Sequence, residues 1–227
     1  MTYMKEIPAQ KHALTYLEDF FKQYPKQKVI IAGHSKGGNL AVYAASQIQP
    51  DLQEKISAIY TYDAPGLQAQ LTETTGYQDI IPKIQRFVPQ GSVIGMMLEV
   101  PDSPIVVKST ALGGVAQHNT FSWLTEGHQF VQLEEISSES LQIKDTLKEW
   151  VDSVPDEELE LYFNLFFGTI LESGINSIND LSSISAIEHI HQLVSQAKTL
   201  EPEQVEVLRN LTQLLLDARF QAWKNHF

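Results

Sequence analysis

The sequence predicts an α/β fold: a mainly parallel sheet flanked by helices in the first part of the chain, and an all-helical region in the last part. Short apolar runs rich in β-branched residues, such as 28–32 and 56–62, have the composition of strands buried on both faces. Segments with helical periodicity separate these runs, and such alternation is typical of a parallel sheet. From Glu134 onward only the helical period remains. We therefore expect a sheet-containing core over residues 1–133 and a helical region over residues 134–227.

The individual elements follow from the same patterns and from the residues that end them. Tyr24-Pro25 ends the first amphipathic segment, and Pro50 marks the end of the second. The segment 92–98 is apolar, and its pattern does not distinguish a helix from a strand. Strands are predicted at 28–32, 56–62, 85–88, 105–108 and 129–133, and helices at 8–24, 39–48, 80–84, 139–152, 156–172, 184–198 and 201–224.

Charge and composition exclude several classes of function. The 227-residue chain has a formal net charge of -12 and no basic block, which argues against nucleic acid or an anionic membrane as partner. It has no cysteine, so disulfides, thiolate metal sites and cysteine nucleophiles are excluded. No apolar run approaches the ~20 residues of a membrane helix, and the first residues lack the apolar core of a signal peptide. We expect a cytoplasmic protein without a stable membrane span, and no metal site.

The strongest chemical signal is Gly33-His34-Ser35-Lys36-Gly37, which matches G-x-S-x-G between a predicted buried strand and a predicted helix. In this position the motif turns the chain sharply and lifts a serine hydroxyl off the end of the sheet. Gly33 and Gly37 are expected to remove side chains that would collide across the turn. The Lys36 N–H, at the helix N-terminus, is expected to stabilise an oxyanion. The motif predicts that Ser35 is a nucleophile; the alternatives are a plain turn or a phosphate-binding loop.

The extended motif, residues 33–41, resembles the G-H-S-[LK]-G-G-x-L-A elbow of class-three lipases, and it is most similar to a bacterial branch of lipase-like α/β-hydrolases that reads G-H-S-K-G-G-N-L-A. The resemblance continues through residues 62–66, 88–96 and 117–123, and it covers roughly residues 5–133. It implies a partial α/β-hydrolase sheet.

The family pattern implies a Ser–acid–His triad in that chain order. His118 matches the family histidine and would take the proton from Ser35 and return it to the leaving group. His128 is the alternative base, because it also lies in a loop beyond the last strands. His34 would support the elbow, as the histidine at this position usually does in the family. A lone histidine such as His118 could also be a surface or core residue.

The acid is the least certain member of the triad. In class-three lipases it follows the next strand, but residues 88–92 here contain no carboxylate. Asp63 is the natural substitute, because its segment resembles the corresponding turn of pancreatic-type lipases and follows the strand after the elbow strand. The alternative reading is that Asp63 merely begins a turn through its side chain. Asp102, between two prolines, is the fallback acid.

The resemblance implies a carboxylester hydrolase that forms an acyl-enzyme on a small-molecule ester or lipid-like substrate and needs no cofactor. Complete relatives have strands before the first helix, and one of these leads to a second oxyanion donor. This chain shows neither, so a weakly active or inactive fragment with an interaction or structural role is the alternative. The first predicted strand would then keep an unpaired, apolar edge. We therefore expect a homodimer, or association with a missing N-terminal part.

Overall fold

The fold was determined from a computed structural model, which describes residues 6–98, 100, 104–111, 116–155 and 157–158. The predicted helices at 184–198 and 201–224 lie outside the described residues, as does nearly all of the one at 156–172. Asp102 also lies outside them.

The described chain contains a five-stranded sheet that is parallel except at one edge. The first four strands in sheet order are also the first four in the chain and run parallel, and the fifth is a short antiparallel strand. A separate two-stranded hairpin precedes that last strand. The sheet strands are β1 (Val29–His34), β2 (Ile56–Tyr62), β3 (Ile84–Pro89), β4 (Ile105–Val107) and, after the hairpin strands β5 (Thr125–Glu126) and β6 (Gln129–Phe130), β7 (Gln132–Leu133).

Helices flank this sheet, so the predicted α/β class is confirmed for the described part of the chain. They are α1 (Pro8–Gln23), α2 (Lys36–Gln47), α3 (Pro50–Gln53), α4 (Ala69–Thr72), α5 (Thr75–Ile80) and α6 (Ser138–Ser153). The prediction of a helix at 80–84 is wrong in position, because the helix lies at Thr75–Ile80. The helix there is α5, whose first turn Thr74 caps through its hydroxyl, and residues 81–83 form only a 3₁₀ turn before β3.

The main core lies on one face of the sheet. Helix α2 contacts β1, β2, α1 and α5, and its small residues Ala44 and Ala45 are buried. Apolar side chains from α1 and from β2 complete this core, including Phe21 and Ile59, which are 2% and 0% exposed. Aromatic rings form a second cluster on the opposite face of the sheet. Its β2 members are Tyr60 and Tyr62, which alternate with the core-facing Ile59 and Thr61 along the strand. This cluster contains Tyr60, Tyr62, Phe87, Trp123 and Phe130.

Strand β1 is an edge strand within the described part of the chain, because β2 is its sole strand neighbour there. The side chain of Ile30 on this edge is 63% exposed. An apolar groove of about 400 Å³ runs beside it between α1 and the start of α2, with Phe20 and Leu40 among its lining residues. Within the described residues, β1 therefore has the unpaired apolar edge that the sequence predicts. What covers it stays a prediction.

Helix α6 is attached to the end of β3. The Ser137 N–H donates to the Gln90 carbonyl at 2.8 Å, and the Trp150 side chain near the end of α6 is 2% exposed. The predicted boundary between residues 133 and 134 stays a prediction. None of the helices in the described ranges is both long enough and apolar enough to cross a lipid bilayer.

Candidate functional site

Ser35 alone makes the turn from the sheet into helix α2. Strand β1 ends at His34 and α2 begins at Lys36, so the chain reverses direction at one residue. Ser35 accordingly has φ 54° and ψ -129°, a conformation that costs a non-glycine residue about 1–3 kcal/mol. Three backbone hydrogen bonds hold it there: its N–H donates to the Tyr62 carbonyl at 2.9 Å, and its carbonyl accepts from the Gly38 N–H at 3.0 Å and from the Asn39 N–H at 3.4 Å.

Gly33 and Gly38 make this turn possible, whereas the sequence predicts that Gly33 and Gly37 do so. A Cβ on Gly33 would lie 2.3 Å from the carbonyl carbon of Gly37, and a Cβ on Gly38 would lie 2.4 Å from the Ala64 Cβ. A Cβ on Gly37 would meet no atom within 4 Å. The expectation that Gly37 prevents a collision is therefore wrong, because its hydrogens face open space. Gly38, which packs α2 against the end of β2, has that role instead.

Asp63 lies beside Ser35 because of the strand register. His34 of β1 is paired with Tyr62 of β2 in the parallel ladder. Ser35 and Asp63, which follow them, therefore lie together at the carboxyl ends of two neighbouring strands. Asp63 has φ 43°, its N–H donates to the Phe87 carbonyl at 2.8 Å, and its side chain is fully buried.

The loop after β4 brings His118 to the Asp63 carboxylate. His118 Nδ1 lies 2.7 Å from Asp63 Oδ2, and His118 is 6% exposed. A carboxylate accepts hydrogen bonds, so Nδ1 carries the proton and Nε2 of a neutral His118 is left as an acceptor. That is the tautomer a general base needs. The structure thus brings Asp63 and His118 together, and the Asp63 carboxylate bonds to distant residues instead of its own turn.

The second oxygen of Asp63 is held by residues that sequence reasoning missed. Asp63 Oδ1 accepts from Ser92 Oγ and from the Gly95 N–H, the latter at 3.0 Å. A Cβ on Gly95 would lie 2.5 Å from Asp63 Oδ1, so a side chain there would block this contact. The Arg86 guanidinium donates to the Gly95 carbonyl and fixes the segment from behind. The resemblance over residues 88–96 was the signal available for these positions.

The side chain of His34, which is expected to support the elbow, contacts His118. Its Nε2 lies 2.9 Å from the His118 carbonyl oxygen, and the two imidazole rings have centroids 4.3 Å apart at an angle of 34°. The residue before Ser35 therefore touches the residue expected to act as base.

Lys36 is the first residue of α2, and amides in the first turn of a helix have no acceptor within the helix. This position agrees with the expected oxyanion role of its N–H. Its ammonium group donates to Asn39 Oδ1 at 2.8 Å, and the Gln10 amide donates to the same oxygen at 3.2 Å. Burial lowers the pKa of Lys36 to about 8.

The remaining candidates do not join this cluster. His128 is exposed in the β5–β6 turn and has no contact with Asp63 or Ser35. Within the described residues, no hydrogen bond joins Ser35 Oγ to His118 Nε2. Such bonds are often long in unliganded enzymes and tighten when substrate binds. The same part of the chain contains no group of three or more histidine, aspartate or glutamate side chains arranged to hold a metal ion.

These features define an α/β protein with a strained serine at a strand-to-helix turn and a buried aspartate–histidine pair at the same sheet edge. The model of the Mbeg1-like family matches residues 1–168, and the chain belongs to that family. The match extends past the sheet into the sequence beyond α6. No curated protein and no solved structure matches the chain.

Proposed function

We propose that this protein is a serine hydrolase of the lipase-like α/β-hydrolase class that cleaves a carboxylester through an acyl-enzyme. The observation that carries the proposal is the 2.7 Å contact between Asp63 Oδ2 and His118 Nδ1 at the sheet edge where Ser35 leaves β1. A buried carboxylate that orients a histidine beside a strained serine is the arrangement nucleophilic acyl transfer requires.

In the proposed mechanism, Ser35 Oγ attacks the ester carbonyl while His118 Nε2 takes its proton. The Lys36 N–H stabilises the negative charge that develops on the carbonyl oxygen. His118 then protonates the leaving alcohol, which departs and leaves an acyl group on Ser35. Water, deprotonated by His118, attacks this acyl-enzyme; the bond between the acyl carbon and Ser35 Oγ breaks, His118 returns the proton to Oγ, and the acid is released. Asp63 holds the His118 tautomer and stabilises the imidazolium in both steps. No cofactor takes part. The substrate is a small-molecule ester or a lipid-like ester, and a cytoplasmic location fits the sequence.

A fluorophosphonate probe tests the proposal directly, because it reacts covalently with an activated serine. We expect the full chain to be labelled and the Ser35→Ala variant not to be. Ser57→Ala, which removes an exposed serine on β2 and retains Ser35, is the matched control and should still be labelled. Absence of labelling in a sample shown to be folded by circular dichroism would refute the enzyme proposal.

A second candidate is an interaction protein that keeps the elbow without turnover. The exposed edge of β1 favours it, because an apolar edge strand is a ready surface for strand addition by another chain. The two candidates differ in the labelling experiment: an interaction protein is not labelled at Ser35, whatever it binds through β1.

A further inference from the structure

We propose that His34 is a positioning residue for His118: the hydrogen bond from its Nε2–H to the His118 carbonyl, together with the contact between the two rings, holds the base beside Ser35. This inference rests on the proposed hydrolase function, in which His118 is the base. It gives His34 a role distinct from support of the elbow turn.

The hydrogen bond fixes the proton on His34. The His118 carbonyl oxygen is an acceptor only, so His34 Nε2, 2.9 Å away, must donate. A neutral His34 therefore carries its proton on Nε2 and has a bare Nδ1. This bond joins residues 84 positions apart in the chain, the last residue of β1 and the loop after β4.

The bond and the ring contact act on different parts of His118. The bond restrains its backbone, and the adjacent His34 ring, 4.3 Å away between centroids, restricts rotation of the His118 imidazole. Asp63 restrains only the Nδ1 corner of the ring. The three contacts together restrain both the backbone and the imidazole ring of His118. His34 is the last residue of β1 and is bonded directly to Ser35 in the chain. A contact between His34 and His118 therefore positions the base relative to the nucleophile.

Two amide substitutions separate this role from a general structural one. In His34→Gln the side-chain amide nitrogen lies near the former Nε2 position and can still donate to the His118 carbonyl. In His34→Asn the amide is one carbon shorter, lies near the former Nδ1 position and does not reach. Both variants remove the ring, so their difference reports on the hydrogen bond. We expect His34→Asn to lower kcat for an ester such as p-nitrophenyl acetate about 10- to 100-fold with KM unchanged, and His34→Gln to recover most of that loss.

Nuclear magnetic resonance provides readouts that do not need activity. In the wild-type chain with ¹⁵N-labelled histidine at pH 8, His34 should show a protonated Nε2 and an unprotonated Nδ1. The His118 Nδ1 proton, bonded to a buried carboxylate, should give a low-field ¹H resonance that persists in His34→Gln and is lost in His34→Asn. Melting temperatures of the variants check that each is folded.

Several results would overturn the proposal: a wild-type His34 protonated on Nδ1 alone, a His34→Asn variant with unchanged kcat and resonance, or equal losses in both folded variants. If wild type has no esterase activity, the hydrolase proposal fails, while the His34 tautomer and the His118 resonance still decide whether His34 positions His118. A wild-type His34 protonated on Nδ1 alone would refute the proposal without any variant, so this outcome is accessible even if a substituted chain does not fold.

Discussion

Asp63 Oδ2 and His118 Nδ1 lie 2.7 Å apart although 55 residues separate them in the chain. Both groups are buried, and an unpaired carboxylate at the Asp63 position would be costly to bury. The histidine, Ser92 and the Gly95 amide together satisfy its two oxygens. The paired Asp63 carboxylate is therefore expected to hold His118 in place, and its replacement by an amide tests that role.

Asp63→Asn should lower kcat for ester hydrolysis about 10³- to 10⁴-fold, because the amide favours the wrong His118 tautomer and does not stabilise the imidazolium. His118→Ala should cause a loss of at least similar size, and His128→Ala should cause none, because His128 is exposed and makes none of the hydrogen bonds to Asp63. Steady-state kinetics on the purified full chain measures all three. Equal rates for Asp63→Asn and wild type would remove Asp63 from the site.

Ser92→Ala should lower kcat about tenfold without a large change in KM. Ser92 Oγ donates to Asp63 Oδ1, and loss of a hydrogen bond to a charged group is worth about 1.5–3 kcal/mol, part of which reaches the transition state through a displaced carboxylate. The exposed Ser57→Ala on β2 is the matched control and should behave as wild type. A Ser92→Ala enzyme with wild-type kcat would show that Gly95 and His118 alone hold Asp63.

The elements of the candidate site could be predicted where the residues that determine them are close together in the sequence. The strand at Ile56–Tyr62, α1 and the elbow serine follow from hydrophobic period and from a motif whose residues are contiguous. Asp63 could be predicted as the acid only from the family resemblance, because its local sequence, followed by Ala-Pro-Gly, also fits a residue that merely begins a turn. Ser92 and Gly95 act on Asp63 across strands, and no pattern within residues 92–95 encodes that contact. The Gly37 error has the same origin: which glycine is crowded depends on Ala64, 26 residues after Gly38.

Gly33→Ala and Gly37→Ala should change stability in opposite directions. The first places a Cβ 2.3 Å from backbone that must shift, which should lower the free energy of unfolding by about 3 kcal/mol. The second adds a methyl group into open space at the start of α2 and should raise it by up to about 1 kcal/mol, since alanine favours helix over glycine. Urea unfolding followed by circular dichroism measures both. A destabilised Gly37→Ala variant would contradict the structure of the elbow described above.

Lys36 should make stability rise with pH in the alkaline range. Burial lowers its pKa to about 8 in the folded chain, against an ordinary value of 10.5. Between these values the unfolded chain binds more protons than the folded one, so the free energy of unfolding increases with pH across that window. Relative to wild type, Lys36→Met should therefore be least stabilising near pH 10.5 and most stabilising below pH 8.

The contrasting control is Lys22→Met. The hydrogen bond that Lys22 donates to the Asp19 carboxylate raises the pKa of this exposed lysine, so Lys22 gives no increase in stability between pH 8 and 10.5. Urea unfolding at pH 7, 8, 9 and 10 gives the difference between each variant and wild type. If the Lys36→Met difference does not change across this series, Lys36 titrates normally and its ammonium is not desolvated.

The exposed edge of β1 should mediate self-association. An apolar strand edge pairs readily with another edge, and a charged side chain on it blocks that pairing. We expect sedimentation velocity to show a concentration-dependent dimer for the wild-type chain, and Ile30→Lys to shift it to monomer because Ile30 is 63% exposed on this edge. Phe121→Lys is the control: Phe121 is 97% exposed in the loop after His118, and its replacement removes an even more exposed apolar side chain outside β1. A wild-type chain that stays monomeric at every concentration would contradict a homodimer. Dissociation by Phe121→Lys but not by Ile30→Lys would locate the interface at the His118 loop instead.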